Sequence, residues 1–279
     1  MDEQLKQVLQ GKIIGFLGGG AIAEALLRGL LDKEMTTQEN LLVFDTSEER
    51  LQVLEQTYGV RGSESASALT GAADILFLTV KPQVLKQIIS TLALATKPTT
   101  LILSVAAGIP LDFLESHFRK HRVVRVMPNT PVAVGEGMTA FALGSRADQE
   151  ADQAARAVFS AVGRVEKVDE NLLDAITGLS GSGPSYAFLM IDALADAGVR
   201  VGLSRKNAIL MAAQTLLGAA KMVVQTGQHP AILRDMVASP GGTSIAGLHA
   251  LESHNVRAAL IDAVVAATER SKEMGKGNS

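Results

Sequence analysis

The chain has no cysteine and no tryptophan, and only 4% of its 279 residues are aromatic. Without cysteine it forms no disulfide, carries no thiolate nucleophile and offers no cysteine-ligated metal site, which is compatible with a cytosolic setting. A basic block is also missing. The net charge is −3, and with so few aromatics this argues against a nucleic-acid partner. The N-terminal stretch Met1–Gln7 is polar and mixed in charge. It lacks an apolar core, so no signal peptide is expected. No uninterrupted apolar run approaches the ~20 residues that span a bilayer. Among the five histidines, His117 and His121 are spaced for one helix face, but Arg119, Lys120 and Arg122 around them read as a solvated basic turn. No metal site is expected.

What is present is enough apolar sequence for a sizeable core: 47% of residues are hydrophobic and 20% charged. The length suits two domains. The polar end Lys272–Ser279 reads as a frayed tail.

The first half alternates strands and helices. Lys12–Leu17 is a short apolar run, followed by Gly18-Gly19-Gly20 and then the helical rhythm of Ala21–Leu31. Strand, Gly-x-Gly-x-x-Ala and helix, in that order, fit a dinucleotide-binding fingerprint. Gly18 makes the tight turn, Gly20 lets a pyrophosphate approach the backbone, and Ala23 lets helix and strand pack closely. The next strand, Leu41–Asp45, ends in a carboxylate 25 positions after Gly20. Asp45 there reads either as a ribose ligand, which favours NADH over NADPH, or as the cap of a helix starting near Ser47. Arg50 is close enough in sequence to meet a 2′-phosphate if NADPH is used. Further strands are expected at Ile75–Val80, Leu101–Val105, Val123–Met127, Gly137–Leu143 and Gly163–Val168, with helices around Pro82–Leu94, Leu111–Phe118 and Asp148–Val162. This alternation implies a parallel sheet wound on both faces. Ligands then sit beyond the carboxyl ends of the strands, which here are Lys81-Pro82, Ala106-Ala107-Gly108 and Pro128–Pro131. Singly, each is also an ordinary loop, and Lys81 also reads as a snorkelling surface lysine.

After Val168 the β-branched runs stop and alanine, leucine and methionine take over, which places a domain change near Asp169. Helices are expected at Glu170–Ile176, Pro184–Gly198, Arg205–Thr226 with Ser204 as cap, Pro230–Val237, Ile245–Ser253 and Val256–Met274. The Pro184–Gly198 segment is apolar nearly all round and is expected to be buried, in a domain core or a subunit interface. Between two of these helices stands Asp235-Met-Val-Ala-Ser239-Pro-Gly-Gly-Thr243-Ser244-Ile245. Its proline and paired glycines exclude ordinary helix. It reads as a turn opening a helix, with Thr243 or Ser244 near the N-cap and free N–H groups suited to a carboxylate. Alone, it also reads as a simple capped loop.

Together, Gly15–Ala25, Val80-Lys-Pro, Met127-Pro-Asn-Thr-Pro, Gly181-Ser-Gly-Pro-Ser-Tyr-Ala and Asp235–Ile245 resemble the pyrroline-5-carboxylate reductase family over almost the whole chain. The resemblance implies an N-terminal Rossmann-like doubly wound domain over 1–168 and an all-α substrate-binding and dimerisation domain over 169–279. It implies an intertwined homodimer, often built into a ring of dimers, in the cytoplasm, that reduces 1-pyrroline-5-carboxylate to L-proline with NADPH or NADH. It assigns the cofactor to Leu17, Gly18, Gly19, Gly20, Ala21, Ile22, Asp45, Thr79, Val80, Lys81, Pro82, Val105, Ala106, Ala107 and Asn129. It assigns the substrate to Glu170, Asp235, Val237, Gly241, Gly242, Thr243 and Ser244. Where the family usually has a threonine bonded to the ring nitrogen, this chain has Ser244, which keeps the hydroxyl. Where the family often has Asn-Met, it has Ala21-Ile22.

The implied hydride transfer is a positioning problem, and Ser244 is the candidate that orients the ring. A serine hydroxyl is too weak an acid to protonate an imine by itself. The substrate therefore reacts as its iminium or takes its proton through water. Two rivals stay open. A β-hydroxyacid-type dehydrogenase needs a catalytic lysine near the start of the helical half, and Gly181–Leu194 has none. A non-catalytic nucleotide-binding regulator has no use for a substrate carboxylate turn.

Overall fold

Short apolar runs dominate the first half of the chain. The computed structural model, which describes residues 3–276, turns them into eight strands of one sheet: β1 Ile14–Leu17, β2 Leu41–Phe44, β3 Arg61–Gly62, β4 Ile75–Leu78, β5 Leu101–Ser104, β6 Arg122–Met127, β7 Gly137–Leu143 and β8 Gly163–Lys167. Their order is β3-β2-β1-β4-β5-β6-β7-β8. The first six follow the doubly wound order of dinucleotide-binding sheets. Every residue of β1, β4 and β5 is buried, as expected of strands covered on both faces.

Helices α1 Glu3–Leu9, α2 Ala21–Asp32, α3 Glu48–Tyr58, α4 Ala66–Ala72, α5 Pro82–Ala95, α6 Leu111–His117 and α7 Gln149–Ser160 surround the sheet. One buried cluster joins Leu26, Leu30 and Phe159 to Phe16 and Phe77, and the other gathers Leu69, Leu85, Ile89 and Phe118. Phe16 stacks on Phe77 at 4.8 Å. Burial of each such ring is worth about 1.5–3 kcal/mol.

Three expectations are corrected. The sheet is not wholly parallel, because β7 runs antiparallel to β6. Only Pro128–Glu136 lies between them, and a parallel return needs a crossover of roughly a dozen residues or more. His121 is buried, edge-on to Phe118 at 5.4 Å, and not in a solvated turn. The last helix runs to Met274 as expected and continues through residues 275 and 276 into the stretch expected to fray, and 277–279 lie outside the described residues.

At the amino ends of the strands, ion pairs tie the sheet together. Lys97 Nζ and Asp74 Oδ1 are 2.8 Å apart, and Asp74 Oδ2 accepts from the Ile13 N–H at 2.9 Å. Arg122 pairs with Glu150 at 2.8 Å and with Asp148 at 3.3 Å. Burial pushes the Asp74 carboxyl up, but the bonds from Lys97 and the Ile13 N–H outweigh it and hold the group below its ordinary value. Arg122 holds Glu150 down in the same way. A carboxylate depressed in the folded state stabilises the fold above its unfolded pKa, and that stability is lost as pH falls through the folded value. Thermal unfolding is therefore expected to be level from neutral pH down to about 5 and to fall steeply below about pH 4. Asp74→Asn is expected to cost about 0.5–1 kcal/mol at pH 7, since solvent reaches and screens this partly exposed pair. It should also flatten the acid limb in a pH series of melting curves.

The chain divides into two compact units, one running through Gly181 and resumed from Ala267, the other Ser182–Ala266. The end of the first unit contains α8 Leu173–Ile176, whose Asp174 accepts from the Ser271 hydroxyl at 2.6 Å. The second unit is helical: α9 Gly183–Arg200, α10 Arg205–Thr226, α11 Pro230–Met236, α12 Thr243–Ser253 and the start of α13 Val256–Lys276. Ser204 caps α10, accepting from the Asn207 N–H. Pro184 opens α9, where its missing donor costs nothing. The expected burial of α9 is not found within one chain. It packs on α10, yet only Ala195 is buried, while Phe188 and Leu189 are 64% and 70% exposed. Leu210 and Met211 on α10 are likewise exposed. By length and composition α10 could cross a membrane, but Gln214, Thr215 and Lys221 interrupt it.

Candidate active site

The glycine-rich turn takes its shape from one residue. Gly18 has φ +104°, and a Cβ there would stand 3.0 Å from Val80 Cγ1 and 3.1 Å from the Thr79 carbonyl carbon. Its N–H donates to Phe44 O at 2.8 Å. The Thr79 hydroxyl lies 2.8 Å from Leu17 O and 2.7 Å from Gly18 O, and so braces the turn from β4. Gly20 then caps α2 without a side-chain bond. The first-turn N–H groups face outward at the positive end of the helix, and open space lies where a Gly20 Cβ would be. Such a turn has the shape and the free donors that suit a pyrophosphate.

A cleft of about 650 Å³ opens beside it, lined by Leu17, Gly18, Gly20, Asp45, Thr79, Val80 and Lys81. Those seven come from the sequence-assigned cofactor set. Thr46, Ala66, Ser67 and Gln87 also line the cleft; sequence reading missed them, and for Ala66 and Ser67 the helix that carries them was itself missed. The volume is that of a ligand pocket, and the cradle and the carboxylate at the β2 end fit a nicotinamide dinucleotide.

Asp45 is clasped to the turn. Its Oδ2 accepts from the Gly19 N–H at 2.7 Å and its Oδ1 from the Ser47 N–H at 2.9 Å. Ser47, not Asp45, caps α3. Arg50 Nε donates to Gly19 O at 2.5 Å, and Arg50 Nη2 pairs with Glu24 of α2. The Tyr58 hydroxyl donates to the other Glu24 oxygen at 3.0 Å. The roles of Glu24 and Tyr58 are invisible in sequence, because their partners are 26 and 34 positions away.

Other assigned residues lie apart from the cleft lining. Val105, Ala106 and Ala107 follow the end of β5. Asn129 spends its amide on structure, donating to Ser180 O at 3.1 Å and accepting from the Met138 N–H at 2.8 Å. Glu170 pairs with Arg125 at 2.8 Å and accepts from the Leu111 N–H at 2.7 Å, at the start of α6. Arg125, 13% exposed, was not singled out from sequence, since its charge sits within an apolar strand.

The second unit holds the remaining candidates. Gly242 N–H bonds back to Ser239 O at 3.0 Å and Gly241 has φ +66°, closing the turn. A Cβ on Gly242 would collide with Ser239 Oγ. Gly242, one residue before the expected position, is the N-cap of α12, and no side chain caps it. Thr243 and Ser244 occupy the first turn, both exposed. Their N–H groups and hydroxyls form an outward donor set suited to a carboxylate. Asp235 pairs with its neighbour Arg234 at 3.0 Å, and Val237 is exposed. Asp235 lines a hollow formed by residues of α11 and α12, and Val237 is not part of that lining.

Residues 170–274 match the family described as pyrroline-5-carboxylate reductase dimerisation, and residues 13–108 match that described as NADP oxidoreductase, coenzyme F420-dependent. The chain is 45% identical to a pyrroline-5-carboxylate reductase of Methanosarcina acetivorans over 96% of this chain and 100% of that one. Among solved structures it is similar to a pyrroline-5-carboxylate reductase from Coxiella burnetii, with TM-score 0.88, 35% identity and 94% and 98% of the two chains covered. It is also similar to the Plasmodium falciparum pyrroline carboxylate reductase solved with NADP bound, with TM-score 0.86, 30% identity and 95% and 98% covered.

Proposed function

The chain belongs to the pyrroline-5-carboxylate reductase family, and from that premise we propose how its parts share the work. It is an NAD(P)H-dependent oxidoreductase that reduces the cyclic imine 1-pyrroline-5-carboxylate to L-proline. The bound dinucleotide supplies the hydride. The Gly18–Gly20 turn and the amino end of α2 hold its pyrophosphate, and Asp45 receives the adenosine ribose. The uncapped turn Gly241-Gly242-Thr243 binds the substrate carboxylate. Ser244 bonds the ring nitrogen and fixes the face the imine presents, while the proton arrives with the iminium or through water.

We assign Glu170 and Asn129 to the frame that positions these groups, because their polar atoms are engaged within the fold. Asp235 and Val237 wall the carboxylate turn. Residues 1–168 act as the cofactor domain and 169–279 as the substrate and dimerisation domain, a division supported by the dimerisation match from residue 170. The exposed apolar faces of α9 and α10 support a homodimer; rings of dimers and a place in the cytoplasm complete the proposal.

The observation that carries this reading is the pairing of an uncapped α2 with an uncapped α12 in one chain. Purified protein given NADH or NADPH is expected to oxidise it only when pyrroline-5-carboxylate is added, read by nicotinamide absorbance. 1-Pyrroline, which lacks the carboxylate, should react at least tenfold more slowly. No imine-dependent oxidation by folded protein that binds the cofactor would overturn the reading.

A further inference from the structure

The two nicotinamide dinucleotides differ only at the 2′ position of the adenosine ribose. One carries a hydroxyl, which can donate a hydrogen bond. The other carries a phosphate, with about −1.5 to −2 charge and no donor for an acidic side chain. What surrounds the end of β2 therefore decides between them.

Asp45 is fixed there. Two backbone N–H groups hold one lone pair of each carboxylate oxygen, which leaves a second on each free to accept, and the residue lines the cleft. A phosphate needs an arginine in its place. Arg50 is the arginine nearest in sequence, and it is not among the residues lining the cleft. Its Nε is spent on Gly19 O and its Nη2 on Glu24. Glu24 is itself held by the Tyr58 hydroxyl. The bond from Arg50 keeps the Glu24 carboxyl below its ordinary value, so the pair stays ionised through neutral pH. Arg50 and Glu24 are 28% and 33% exposed, partly shielded from solvent competition. Lys81, the cation that does line the cleft, follows β4. β1 lies between β2 and β4, so two strand spacings, about 10 Å, separate it from the ribose end.

We propose that this chain selects the dinucleotide without the 2′-phosphate, NADH over NADPH, and that Glu24, braced by Tyr58, is the positioning residue that withholds Arg50 from the ribose site. The proposal rests on the cofactor reading of the cleft given above. It makes Asp45 a specificity-determining residue and the Arg50–Glu24–Tyr58 chain its support.

Titration of the full chain with NADH and with NADPH, imine absent, followed by nicotinamide fluorescence, reads binding without turnover. NADH should bind at least tenfold more tightly. Asp45→Ser should abolish that preference. Because this change also loosens the clasp on Gly19, Glu24→Gln is the cleaner variant: Asp45 stays in place, Arg50 is released, and NADPH affinity should rise at least threefold while NADH affinity holds. Equal or tighter NADPH binding by the unsubstituted chain overturns the selectivity. A Glu24→Gln variant that shifts both affinities alike overturns the role of Glu24. The NADH preference in binding, found with no turnover of the imine, leaves the selectivity standing and overturns the reaction. Imine turnover with NADPH bound more tightly does the reverse.

Discussion

Ser244→Ala lowers kcat about 10- to 100-fold and leaves the NADH dissociation constant within about twofold. The magnitude follows from what is removed. A hydrogen bond to a charged group is worth about 1.5–3 kcal/mol, and each 1.36 kcal/mol is about tenfold in rate. Ser244 stands in the first turn of α12, exposed, with its backbone set by Gly242 before it. Alanine is the better helix former at such a position, so the variant folds, and the loss is one of chemistry and not of structure. Only the hydroxyl is deleted, while the N–H groups proposed to receive the carboxylate remain, so KM should rise less than kcat falls. Ser244→Thr returns the hydroxyl and recovers most of the rate, a rescue that a merely structural role would not give. Steady-state kinetics of the three proteins check this. Wild-type kcat in the alanine variant would remove Ser244 from the mechanism.

Gly18→Ala weakens cofactor binding at least 100-fold and lowers stability by about 1–3 kcal/mol. The positive φ is itself a strained conformation for a residue with a Cβ. The new methyl meets the Thr79 main chain at 3.1 Å, and a backbone in the middle of a sheet has little room to give. The turn must shift, and with it go the Gly19 N–H bonded to Asp45 and the N–H groups of α2. Gly20→Ala separates the two effects. Its φ is −68°, and nothing lies within 4 Å of the added Cβ. Stability should be nearly unchanged while the methyl blocks the pyrophosphate. Fluorescence titration and thermal unfolding, run side by side, distinguish the cases. Wild-type NADH affinity in Gly18→Ala would contradict the placing of the cradle.

Local patterns were readable where a residue's neighbours in sequence are also its physical environment. The run Ile14–Leu17, the turn at Gly18 and the apolar rhythm of α2 are of this kind, as are Ser204 before α10 and the turn before α12. Elements too short to show a period escaped: α1, α4 and the two-residue β3. The reversal at β7 was also hidden, because direction depends on the connection and not on the strand, and β6 and β7 each read as ordinary buried runs. The apolar character of α9 was legible, but not whether a domain core or a subunit interface would take it up; within one chain Phe188 and Leu189 stay exposed. A sequence records that a face is apolar and not which molecule covers it.

The site divides along the same line. Leu17, Gly18, Gly20, Asp45 and Thr79 meet around one cleft, because the fingerprint is local and the sheet order brings β1, β2 and β4 together. The partners that tune it do not follow from spacing. The links between Asp45 and Gly19, Arg50 and Glu24, and Glu170 and Arg125 join residues 26 to 45 positions apart, and each is made by tertiary packing.

The most direct test of the central claim is a product balance. Protein, excess pyrroline-5-carboxylate and a limiting amount of NADH are incubated to completion, and L-proline is quantified against the cofactor oxidised. One L-proline per NADH, with none formed when either reactant is left out, is the predicted result. NADH consumed without L-proline, or bound and never consumed, would contradict it.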